Sequence, residues 1–159
     1  MYIDRNTEEI IHSMSLPVGI SHGDSLILKT LDEFGQIWLS SVMHVTLADN
    51  AGEVVSEDFQ YLLPERRLVF PEAKLTLSVT DGGALLISSD KFARCVELNG
   101  DADGDAFGWH FEDNYFDLMP GQTRKIKIYG KHSNGIVTAK AYYSPHATSI
   151  NWRAEASRA

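Results

Sequence analysis

The sequence predicts an all-β protein: an immunoglobulin-like β-sandwich preceded by a partial β-sandwich module. Its apolar residues recur in short runs with a period of two and almost never at helical spacing. Gly, Asp, Asn and Pro, the residues that supply turn geometry, bound those runs. From Lys74 onward about seven such runs follow one another with turn signals between them, as in an immunoglobulin-like sandwich.

Taken in order, Ile10 to Met14 is a first candidate strand, and Ser25 to Leu31 and Trp38 to Leu47 are the next two. Leu31 to Gly35 reads as a loop or one helical turn. Asp49-Asn-Ala-Gly52 is a turn, and Glu53 to Tyr61 returns from it as the second arm of a hairpin. Three or four strands make too small a sheet to cover their own apolar face, so residues 1–66 are expected to be part of a sandwich. Two prolines bracket Leu63 to Pro71, which therefore cannot lie inside a sheet, and a connector is placed at 67–71. The immunoglobulin-like module is expected at 72–146. It opens with Lys74 to Val79, whose Leu75, Leu77 and Val79 share one face, and turns at Asp81-Gly-Gly83 into Ala84 to Ser89. Phe92 to Leu98, a long acidic loop, Asp113 to Leu118, Arg124 to Tyr129 and Gly135 to Tyr143 complete it. Residues 147–159 read as a frayed polar tail.

The chain has 159 residues, enough to bury a core, with 43% hydrophobic and 23% charged residues, which argues against wholesale disorder. A net charge of −8 argues against a nucleic-acid partner, because phosphate binding needs clustered Lys and Arg, and Arg66-Arg67 and Arg124-Lys125 are too short. No apolar run reaches the roughly 20 residues of a membrane helix, so no membrane partner is expected. Cys95 is the one cysteine, which rules out an intrachain disulfide, and its strand-like setting reads as a small buried thiol. A cytoplasmic setting is slightly favoured over export, since the first residues are not a secretory n-region.

The richest motif is Asp113-Asn-Tyr-Phe-Asp-Leu-Met-Pro-Gly121. Asp113, Asn114 and Asp117 look like a carboxylate pair with an amide, yet at a strand ending in Pro120-Gly121 such groups more often bond nearby backbone. Tyr115 is the candidate corner tyrosine, with its hydroxyl bonding backbone across the sandwich beside Phe116. Upstream, Asp101, Asp103 and Asp105 alternate and Glu112 stands at position twelve, like an EF-hand calcium loop. The glycine falls at position four and the flanks read as strands, so that reading fails. A looser calcium site on the three aspartates stays behind a solvated acidic turn in rank. Phe107, Trp109 and Phe111 alternate on one strand face, as a glycan platform or, in preference, as core or interdomain packing. Trp38 and Trp152 read as core. The six histidines at 12, 22, 44, 110, 132 and 146 lack metal-ligand spacing, and no GxSxG nucleophile elbow occurs. No cofactor is expected.

Residues 37–143 resemble the C-terminal region of glycoside hydrolase family 2 β-mannosidases. The likeness is strongest in Leu47 to Phe59, in Ser89-Asp-Lys-Phe-Ala-Arg-Cys-Val-Glu-Leu98 and in Asp113 to Gly121, with a similar proline-bracketed connector. Those enzymes join β-sandwich modules to a (β/α)₈ barrel that hydrolyses β-mannosides with retention, using two glutamates on barrel strands. The resemblance implies that residues 1–66 end the penultimate module and 72–146 form the last. The barrel and both glutamates have no counterpart here, so no catalytic residue carries over and activity by the chain alone is not expected. The loop Asn99 to His110 departs from the family in length and acidity. The expected role is accessory, with the catalytic barrel of the parent enzyme as partner and a mannose-containing glycan as a second candidate. The alternative is a stand-alone carbohydrate-binding or adhesion sandwich, calcium-dependent if the acidic loop binds metal.

Overall fold

The computed structural model describes residues 2–4, 10–30, 41–102, 108–130 and 134–153. Every extended element among them is a β-strand, and the chain divides into two compact units, Met1–Val69 and Phe70–Ala159. No helix among the described residues is long and apolar enough to cross a membrane.

The first unit holds a four-stranded antiparallel sheet ordered β2-β1-β3-β4, from β1 (Tyr2–Asp4), β2 (Ile10–His12), β3 (Ser41–Ala48) and β4 (Val54–Tyr61). The expected hairpin forms because Asp49 organises its turn. Asp49 Oδ1 accepts from the N–H groups of Ala51 and Glu53 at 2.9 and 3.0 Å, while Gly52 takes the left-handed φ of 87° that a Cβ would oppose. A strand was expected at Ser25 to Leu31, but residues 25–30 lie in none, and Ile27 is 82% exposed. Alternation gives such a segment two faces but does not supply a neighbouring ladder. Leu31 to Gly35 and Trp38 lie outside the described residues.

The second unit is an immunoglobulin-like sandwich. One sheet is ordered β10-β6-β5, from β5 (Leu75–Val79), β6 (Leu85–Ser89) and β10 (Thr123–Ile126). The other is ordered β13-β12-β7-β9, from β7 (Ala93–Asp101), β9 (Phe116–Leu118), β12 (Asn134–Lys140) and β13 (Thr148–Arg153). A two-stranded ribbon joins β8 (Trp109–Phe111) to β11 (Ile128–Gly130). Leu85, Ile87 and Ile126 from the first sheet pack with Val96, Leu118 and Val137 from the second in one core, nearly free of solvent. Each such side chain, moved from water into that core, contributes on the order of 2 kcal/mol.

Two expectations change here. The run Arg124 to Tyr129 is not one strand, because the backbone of Lys127 turns away from β6 to Glu112. The Lys127 N–H donates to Glu112 Oε2 at 3.2 Å, and the Glu112 N–H donates to the Lys127 carbonyl at 2.9 Å. The polar tail expected from residue 147 is instead the edge strand β13 over Thr148–Arg153, in register with β12. Trp152 anchors it, buried as expected for a core residue, with its indole N–H donating to the Gly83 carbonyl at 2.8 Å. Thr148 adds a bond from its hydroxyl to the Leu75 carbonyl at 3.1 Å.

Candidate functional site: the Asp113–Gly121 motif and the outer sheet face

The motif enters along β7 and leaves through a turn onto β10. At its head, Asn114 reaches across to β7: its Oδ1 accepts from the Leu98 N–H at 2.7 Å and its Nδ2 donates to the Leu98 carbonyl at 3.0 Å. One amide side chain thus completes a ladder step where β9 has not yet begun. The same Oδ1 accepts from the Tyr115 N–H at 2.9 Å, and Asp113 Oδ1 accepts from the Asn114 N–H at 2.8 Å. Arg124 holds the other Asp113 oxygen at 2.9 Å and lies 4.7 Å over the Phe116 ring.

Asp117 is buried at 7% exposure and is engaged by β7. Its Oδ1 accepts from the Cys95 N–H at 2.7 Å and from Arg94 Nη1 at 2.9 Å. That N–H points toward Asp117 because Cys95 sits at φ 48° in the bulge between Ala93 and Val96. Cys95 is half-buried, where the sequence suggested a small buried thiol. At the tail, Pro120 and Gly121 form the turn: Gly121 has φ 73°, the Gln122 N–H donates to the Met119 carbonyl at 3.0 Å, and the Gly121 N–H caps the Ser89 carbonyl at 2.9 Å. Glu112 lies just ahead of the motif. Its carboxyl is held below the ordinary glutamate value, first by the Lys127 backbone N–H and then by the Lys127 ammonium, whose own pKa is raised by the same contact.

Tyr115 does not act as a corner tyrosine. Its φ is 60°, the residue is 60% exposed, and its hydroxyl lies 3.4 Å from Glu97 Oε1, not on backbone. Trp109, read as core or interdomain packing in preference to a glycan platform, is 6% exposed and meets Trp152 edge-on at 4.9 Å. Glycines cradle its indole: a Cβ on Gly100, Gly130 or Gly135 would stand 2.7, 2.7 or 2.6 Å from a ring carbon. Trp109 belongs to the core of the second unit and offers no face to a sugar. Phe107, Asp103 and Asp105 lie outside the described residues. Asp101 is at the end of β7 opposite Ile136, and no group of three or more metal-ligating side chains occurs among the described residues.

Sequence reasoning missed Arg94 as the partner of Asp117, and missed the outward face of β7 and β12. On that face Glu97 stands opposite Lys140 and Asn99 opposite Thr138. Only strand register brings these residues together, since about 40 positions separate each pair along the chain.

The sandwich geometry defines an immunoglobulin-like domain. Residues 68–141, most of them in the second unit, match the model of the mannosidase type of Ig-fold domain. No curated protein matches the chain.

Proposed function

We propose that the chain is a non-catalytic accessory region of a β-mannosidase-like glycoside hydrolase, with the catalytic barrel as its partner. The observation that carries this reading is the match of residues 68–141 to the mannosidase type of Ig-fold domain. The chemistry of the motif supports it. The carboxylates that could be taken for a catalytic pair are committed to structure, Asp117 to Arg94 and the Cys95 N–H, and Asp113 to Arg124 and the Asn114 N–H. A general acid or nucleophile needs a carboxylate that faces substrate. The purified chain should leave 4-nitrophenyl β-mannoside intact. Co-expressed with a (β/α)₈ mannosidase domain from the same genome, it should co-purify with that domain and raise its melting temperature. Turnover by the chain alone, or a barrel indifferent to its presence, would sink the reading.

A further inference from the structure

We propose that Asn134 is a modification site, independent of the accessory role: its side-chain amide converts spontaneously to aspartate or isoaspartate, at a rate set by the edge strand β13. The chain has two Asn-Gly steps, Asn99-Gly100 and Asn134-Gly135. Trp109 accounts for both glycines, since a Cβ on them would stand 2.7 and 2.6 Å from its indole. In such a step the glycine backbone nitrogen attacks Cγ of the asparagine, an approach that glycine hinders least because it has no side chain. The new C–N bond closes a cyclic imide while the C–Nδ2 bond breaks, and ammonia leaves with the amide proton. Water then opens the imide at one of its two carbonyls. One opening gives aspartate, and the other gives isoaspartate, whose backbone is longer by a methylene. No electrons are gained or lost, and water is the sole co-reactant.

Both asparagines are exposed, so the ladder around each glycine decides which step reacts. Asn114 takes both the Leu98 N–H and the Leu98 carbonyl on the β9 side. Alternation therefore turns Asn99 toward β12 and its partner Thr138 toward β7, which leaves Gly135 facing β13 opposite Trp152. Asn99 lies inside the β7–β12 ladder, and its carbonyl also accepts from the Thr138 hydroxyl at 3.4 Å. Rotating its backbone to bring the Gly100 nitrogen to the amide would break the sheet from within. Asn134 is instead the first residue of β12. Pairing with β7 starts at Ile136, so among the described residues β13 alone pairs with positions 134 and 135. An edge strand opens more readily than the interior of a sheet, and opening β13 frees the Gly135 N–H and the Asn134 backbone together. Two side chains hold it closed, Trp152 on the Gly83 carbonyl and Thr148 on the Leu75 carbonyl.

The two products differ in consequence. Aspartate keeps the backbone length and sets a carboxylate across from Arg153. Isoaspartate adds a methylene directly before Gly135, where even a Cβ would strike the Asp101 carbonyl and the Trp109 ring. That length has no room there, so isoaspartate loosens the contact of Trp109 with Trp152.

The test holds the full chain in weakly alkaline buffer at body temperature, folded or in urea, and follows conversion of amide to acid at residues 99 and 134 by peptide mapping. In urea both steps should convert at similar rates. In the folded chain Asn134 should convert at least about fivefold faster than Asn99, and the isoaspartate fraction should track loss of the near-ultraviolet tryptophan signal. Thr148→Val, which removes one anchor of β13, should speed conversion of Asn134 about fivefold and leave Asn99 unchanged. Hydrogen exchange at the Gly135 amide should rise by the same factor, while protection elsewhere in the core shows that the variant is folded. Any of three results overturns the assignment: Asn134 converting no faster than Asn99 in the folded chain, Thr148→Val leaving its rate unchanged, or a folded rate equal to that in urea, since β13 would then guard nothing.

Discussion

Asn114 shows how one side chain can stand in for a strand. Its amide makes both bonds that a neighbouring backbone would make to Leu98, and Ala in its place leaves a Leu98 N–H and carbonyl without those partners. We expect Asn114→Ala to cost about 2 kcal/mol, measured by urea unfolding, and unchanged stability would refute the structural role. Gly135 makes the complementary case by having no side chain. A Cβ there would stand 2.6 Å from Trp109 and 2.8 Å from the Cα of Ala102, so Gly135→Ala should destabilise by about 2 kcal/mol or more, with loss of the near-ultraviolet signal of the Trp109–Trp152 pair. Tyr115→Gly should act in the opposite sense, by about 1 kcal/mol, through relief of the left-handed backbone.

At the scale of elements, the turns were legible and the partners were not. Asp49 to Gly52 and Asp81 to Gly83 lie between the strands they join, so local residues carry the information: the Gly83 N–H closes onto the Thr80 carbonyl at 2.9 Å with φ 75°. The Pro120-Gly121 turn was legible for the same reason. The break between β10 and β11 was not, because alternation runs through Lys127 unbroken and only Glu112, 15 residues away, draws its backbone aside. This contact also gives a pH signature. The Glu112 pKa is lowered on folding, so its contribution is present above the ordinary value of 4.5 and is lost as pH falls through the lower folded value. The melting-temperature gap between wild type and Glu112→Gln should therefore close on acidification below that range. A gap independent of pH would contradict it. The effect is small because the pair is solvent-exposed.

For the whole molecule, the core that unites two sheets lies within the second unit, from Ala73 to Trp152. A fragment of residues 70–159 should melt cooperatively with dispersed amide resonances, whereas residues 1–69, with a single four-stranded sheet among the described residues, should not. The sequence alone determined the all-β class, the hairpin turns and the identity of the Asp113 to Gly121 motif, because period-two alternation and turn chemistry are local properties. Tertiary structure decided which side of that motif meets water. Trp109 read in preference as packing and Tyr115 as a corner tyrosine; three glycines around the indole bury the first, while a left-handed turn exposes the second. It also made β13 a strand, since a polar edge segment becomes one only when a neighbour offers a ladder in register and a place for Trp152.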